Sequence, residues 1–200
     1  MAASRKAAKT ADGEIVCERL RYLQNDKREL DLQTMTDNAA TAPTVSVPLY
    51  FEDLSIGQRF VSRSHTITAD EIKAFASRYD PQPFHLDEEA ARDTMFEGLA
   101  ASGWHTAALT MSLIVETLSL AGGVIGGGGE LMWPRPTRPG DTLRVEVEVL
   151  ELHPSRSRPE RGTAMMRYLT INQHDEVVQS FTVKMPLRRC SHSPNKTTSS

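Results

Sequence analysis

Apolar positions recur along this chain with two different periods, and the change of period marks its elements. Over residues 143–149, Leu143, Val145, Val147 and Val149 alternate with Arg144, Glu146 and Glu148. That alternation predicts a strand with one buried and one wet face. Residues 163–173 and 177–185 read as two further strands, the last with Val177, Phe181, Val183 and Met185 on one face. Residues 60–68 and 130–137 read as strands as well. Thr137–Asp141 and Asn172–Glu176 hold the proline, glycine, asparagine and aspartate that turns favour.

Elsewhere the spacing is helical. Thr68 and Glu71 form a capping box, and Ile72, Phe75, Ala76 and Tyr79 then fall on one face of the helix that follows. Pro81 and Pro83 stop it, because proline removes a donor and fixes φ. A short helical turn is expected over 87–92. Ser102 and Gly103 open a much more apolar helix, in which Trp104, Ala107, Ala108, Met111, Ile114, Val115 and Leu118 make a broad stripe. Leu109, Leu113 and Leu120 cover much of the rest, which predicts a helix surrounded by protein. The glycines between 122 and 129 end this region. One strand, helix, loop, buried helix and a run of four strands give an α+β fold, with a curved antiparallel sheet wrapped around a long central helix.

The periodic region spans 49–189. Residues 1–48 read as a disordered arm in which 14–23 are expected to form a short helix, and 190–200 read as a polar tail. Met35 is an alternative start of the chain. With 23 Lys plus Arg against 26 Asp plus Glu, the chain has no basic field to recruit nucleic acid or an anionic membrane. Cys17 and Cys190 have no ligand or disulfide spacing and suit a reducing, cytoplasmic setting. The apolar stretch 104–120 carries His105, Thr106, Thr110, Ser112 and Glu116, so it is expected to be a soluble helix rather than a membrane span.

The segment Tyr79-Asp80-Pro81-Gln82-Pro83-Phe84-His85 is the chemically informative one. It sets a carboxylate and an imidazole on a proline-stiffened loop, where together they can orient one water and move its proton. The competing reading of the same residues is an Asp that caps the next helical turn and a surface His.

The segment resembles the signature of the (R)-specific enoyl-CoA hydratases within the MaoC-like family of hotdog folds. Asp80, Pro83 and His85 match the pattern, with the small residue Ala91 after them. The likeness runs from about Leu49 to Leu187 and includes Ala101-Ser102-Gly103 and Arg138-Pro139-Gly140-Asp141. It implies reversible hydration of a 2-enoyl-CoA to the (R)-3-hydroxyacyl-CoA, with Asp80 and His85 on the catalytic water and the Gly103 N–H on the thioester oxygen. Phe84, Ser102 and Trp104 are the expected substrate-binding residues. A dimer or higher homo-oligomer, with acyl-CoA across its interface, is implied too, and no metal or redox cofactor. Gln82 stands where Asn is usual, Phe84 replaces an aliphatic residue, Tyr79 replaces a common Gly, and Ser102 occupies a frequent His position. Phe84 and Tyr79 are therefore expected to reshape the acyl pocket.

Other readings compete. Gly103 also suits simple helix packing or capping. His105 is expected to be a hydrogen-bonded structural residue, with pocket lining as the alternative. His65 reads as structural, and His153, His174 and His192 as turn or tail residues. The arginines of 153–162, with Arg135 and Arg138, suit either coenzyme A phosphates or a solvated loop. Gly126–Gly129 lacks the Lys-Ser/Thr and the following helix of a phosphate loop. At the level of function, the alternatives to a hydratase are an acyl-CoA thioesterase and a non-catalytic acyl-thioester-binding subunit.

Overall fold

The computed structural model describes residues 48–190 and, ahead of them, two short paired segments, β1 (Ala8–Lys9) and β2 (Ile15–Val16). Strand pairing at Ile15–Val16 displaces the start of the helix expected over 14–23. The rest of that stretch, the alternative start at Met35 and the tail beyond Cys190 lie outside the described residues. Cys190 itself still belongs to the fold, since its N–H donates to Glu52 Oε2 at 2.9 Å.

The main sheet is antiparallel, in the order β3 (Arg59–Val61), β6 (Thr142–Pro154), β7 (Arg161–Ile171), β8 (Val177–Arg188), β5 (Gly129–Met132), with β4 (His65–Thr66) also on β6. The alternation in β6 is realised as read: Leu143, Val145, Val147 and Val149 are buried. Two expected strands are shorter or broken. The strand over 60–68 is interrupted after Val61, where Ser62 donates its N–H to the Val145 carbonyl and its hydroxyl oxygen accepts from the Val145 N–H at 2.8 Å. A side chain thus takes over one rung of the ladder, and the backbone turns away. The strand over 130–137 stops at Met132, because Pro134 and Pro136 have no N–H to give.

Four α-helices among the described residues accompany the sheet. α1 (Ala69–Tyr79) begins at the expected capping box, with Thr68 Oγ1 accepting from Glu71 N–H. Ile72 and Ala76 are buried, whereas Tyr79 points outward, its ring 5.0 Å from that of Phe75. α2 (Pro83–Leu86) starts with proline at its first position, where the missing N–H costs nothing. His85 therefore sits on a helical turn rather than a loop. α3 (Glu88–Arg92) is capped by Asp87, which accepts from Ala90 N–H.

α4 (Gly103–Thr117) lies against one face of the sheet, and Leu113 and Ile114, with Leu118 at its C-cap, form the main core with Val145, Val147, Met166 and Met185. Its orientation corrects the sequence reading. Toward the N-terminal half the buried positions are Thr106 and Thr110, and the stripe at Trp104, Ala108, Met111 and Val115 faces out, with Trp104 62% and Val115 53% exposed. The threonines tolerate burial because each hydroxyl has a partner. Thr110 Oγ1 donates to the Thr106 carbonyl at 2.8 Å and lies 2.7 Å from Thr170 Oγ1, and Thr106 Oγ1 donates to Thr137 Oγ1 at 3.1 Å. No helix among the described residues is long and apolar enough to cross a membrane.

Candidate active site

Three chain segments converge at the N-terminus of α4. The first is the end of α1 with the proline turn, which places Asp80 as the C-terminal cap of α1 and His85 one short turn further on. The second is Ala100–Gly103, which enters α4. The third is 133–137, the extended segment after β5. They line a cavity of about 590 Å³ shared by Asp80, His85, Phe84, Ser102, Gly103 and Trp104, so all six sequence-predicted site residues meet in one place. Gln82, Met95, Phe96, Trp133 and Thr137 also line it.

Asp80 and His85 face each other, with Oδ2 and Nε2 3.4 Å apart. Each is held from behind. His85 is buried, and its Nδ1 lies 2.7 Å from the Ala100 carbonyl. A carbonyl only accepts, so Nδ1 carries the proton and Nε2 is the nitrogen presented to the cavity. Asp80 accepts the Ser102 hydroxyl on Oδ2 at 2.6 Å and the Gln82 side-chain amide on Oδ1 at 2.8 Å. The Ser102 bond is the strongest influence holding the Asp80 carboxyl below its usual range. Partial burial opposes it, and Gln82 and the His85 charge add to it.

Ser102 is the hinge of the arrangement. Its hydroxyl donates to Asp80 and accepts from the Trp104 N–H at 3.2 Å, so it caps α4 while fixing the carboxylate. Beside it, the Gly103 N–H has no acceptor among the described residues. An open first-turn amide at a helix N-terminus is suited to a developing negative charge.

Gly103 also answers the question of packing against function. A Cβ there would lie 2.8 Å from two ring carbons of Trp133, so the glycine is required by close approach of the indole. Trp133 Nε1 donates to Gln179 Oε1 at 2.8 Å, and Trp104 meets the ring edge-on at 5.4 Å. A second aromatic wall is made by Phe84 and Phe96, with ring centroids 5.0 Å apart. Trp133 and Phe96 escaped the sequence reading. A glycine forced onto the first turn of a helix, together with the tryptophan before two prolines, was the available signal.

Arg138 and Arg135 separate. Arg138 gives its guanidinium to the carbonyls of Phe96, Gly98 and Leu99, so it ties down the segment behind Phe96 instead of offering a free cation. Arg135 lines the cavity and lies 3.4 Å from Glu176. His105 departs from both expectations. It does not line the cavity, and its buried Nδ1 has no partner among the described residues; the ring stacks on Phe75 at 4.6 Å, and burial pushes its pKa down. His65 bonds Glu71 at 3.1 Å, as a structural residue would.

Residues 53–168 match the family model described as the MaoC like domain. The chain belongs to the MaoC-like dehydratase family. Among curated relatives it is 34% identical over 126 residues to the uncharacterised protein YdeM of Bacillus subtilis, covering 62% of this chain and 88% of that one. It is 34% identical over 110 residues to the 3-hydroxybutyryl-CoA dehydratase of Methylorubrum extorquens, covering 55% and 69%. It is 33% identical over 108 residues to the (R)-specific enoyl-CoA hydratase of Rhodospirillum rubrum, covering 54% and 74%. A crystal structure of a MaoC-like dehydratase from Rhodospirillum rubrum superposes with a TM-score of 0.71 at 56% identity, over 72% of this chain and 99% of that one. The fold is thus the hotdog of these MaoC-like proteins, and the enzyme is of the hydratase–dehydratase type.

Proposed function

We propose that this MaoC-like protein adds water reversibly across the double bond of a 2-enoyl-CoA, with Asp80 and His85 holding the water between them. The observation that carries the reading is the approach of Asp80 Oδ2 to His85 Nε2, 3.4 Å, in the cavity that also receives the Gly103 amide. In the forward direction the water oxygen bonds to the β-carbon and its proton passes to one member of the pair. The electron pair of the double bond moves toward the thioester carbonyl, whose oxygen takes the Gly103 N–H. Transfer of a proton from the pair to the α-carbon completes the addition and returns Asp80 and His85 to their starting state. Ser102 and Gln82 keep Asp80 ionised and aimed, while the Ala100 carbonyl fixes the histidine tautomer. Phe84 and Trp104 line the acyl side. The relative named (R)-specific enoyl-CoA hydratase supports an (R)-3-hydroxyacyl product.

Asp80→Ala and His85→Ala are each expected to lower crotonyl-CoA hydration by about 10²–10⁴-fold with the fold intact. Undiminished turnover in either variant contradicts the assignment. Release of free thiol would favour a thioesterase, and titration showing binding without turnover would favour a non-catalytic subunit. The working unit is proposed to be a homodimer, because among the described residues nothing covers the outward stripe of α4 or pairs with the outer edge of β5.

A further inference from the structure

We propose that Trp133 sets the upper size of the acyl group this site accepts, making it selective for short chains. This rests on the enoyl-thioester reading given above. The indole is fixed from three directions. Its Nε1 is tied to Gln179, which is only 1% exposed on β8; its ring lies against Gly103 closely enough to forbid a Cβ; and Trp104 packs on it edge-to-face. Pro134 and Pro136 stiffen the segment behind it. A side chain held in this way acts as a wall rather than a movable flap.

Its position separates it from the other aromatic wall. Phe84 and Phe96 flank His85, with Phe96 5.9 Å from the imidazole centroid. Trp133 instead touches Gly103, whose N–H is the donor assigned to the thioester oxygen. An acyl group whose carbonyl meets that N–H therefore starts beside the indole, and the chain that leaves it toward Asp80 and His85 runs through a cavity bounded by Trp133 as well as by Phe84 and Phe96. The buried Gln179 bond resists displacement, since moving the ring would strand a polar group with no solvent.

The test compares wild type, Trp133→Ala and Trp133→Phe on enoyl-CoAs of four, six and eight carbons. Saturated acyl-CoAs of the same lengths are titrated in parallel. Trp133→Ala is expected to raise the ratio of kcat/KM for octenoyl over crotonyl by about tenfold or more. The affinity ratio of octanoyl- over butyryl-CoA is expected to move the same way. Trp133→Phe, which keeps a ring against Gly103, is expected to shift both ratios less. If the alanine variant does not fold, Trp133→Leu supplies the same comparison with a smaller opening. Chain-length profiles that coincide for wild type and the small-residue variant, in turnover and in binding, overturn the proposal. Absence of turnover by wild type on every length, with the affinity ratio still shifting, instead defeats the hydratase reading and leaves this one standing.

Discussion

Asp80 Oδ2 has two neighbours within reach, the Ser102 hydroxyl at 2.6 Å and His85 Nε2 at 3.4 Å. The shorter contact is the one that most lowers the Asp80 pKa, and it is neutral, so it acts whether or not the histidine is charged. Ser102→Ala should therefore raise the Asp80 pKa and move the acid limb of the pH–rate profile upward. The sign for stability follows. A carboxyl depressed in the folded state contributes above its unfolded value, about 3.9, and loses that contribution as pH falls through the folded value. The stability gap between wild type and Ser102→Ala should be full at neutral pH and narrow below about pH 4. It should not close, because loss of the α4 cap costs about 1 kcal/mol at any pH. Denaturant titrations at pH 7 and pH 3.5 measure both parts, and a gap independent of pH would contradict the coupling. The pair was singled out in the sequence by its match to the hydratase signature, since its spacing alone suited an Asp cap and a surface His equally well. The partners that tune it were less legible. Gln82 was visible only as a departure from the usual residue, and nothing near Asp80 in sequence points to Ser102, 22 positions on.

At the scale of elements, regular alternation was read correctly in β6 from Leu143 to Val149, but at the start of β8 the ladder shifts by one residue and Val178 is buried where Val177 was expected. Alternation also misled where side chains ended the pairing, at Ser62, or where prolines did, after Met132. The contact between α4 and the 133–137 segment makes a prediction of its own. Gly→Ala within a helix ordinarily stabilises by about 0.5–1 kcal/mol. Here the added methyl would meet the Trp133 ring at 2.8 Å, and overpacking of this kind costs about 1–3 kcal/mol. Gly103→Ala should thus destabilise in the wild-type background and stabilise, or stay neutral, in Trp133→Ala. Chemical denaturation of the four proteins of this cycle measures the coupling directly. Additive effects would mean that the indole does not press on the helix.

For the whole molecule, the decisive feature is which way α4 turns. Hydropathy identified Trp104, Ala108, Met111 and Val115 as positions that want cover, but a period of 3.6 carries no information about which molecule supplies it. Within one chain the sheet covers Thr106, Thr110, Leu113 and Ile114 instead, leaving the stripe outward beside Trp133, which is itself 39% exposed. The stripe runs most of the length of a helix about 22 Å long. An apolar band of that size beside an unpaired strand edge suits a second copy of the chain. Val115 is at the far end of α4 from Gly103 and does not line the cavity. Val115→Glu should therefore place a charge in the pairing face without touching the chemistry. Light scattering is expected to give twice the chain mass for wild type and half that value for the variant. Because Trp104 belongs both to the stripe and to the cavity, separation of the copies should also weaken substrate binding, raising KM more than it lowers kcat. A variant that keeps the doubled mass, or a wild type that is monomeric to begin with, would assign the stripe to some other cover.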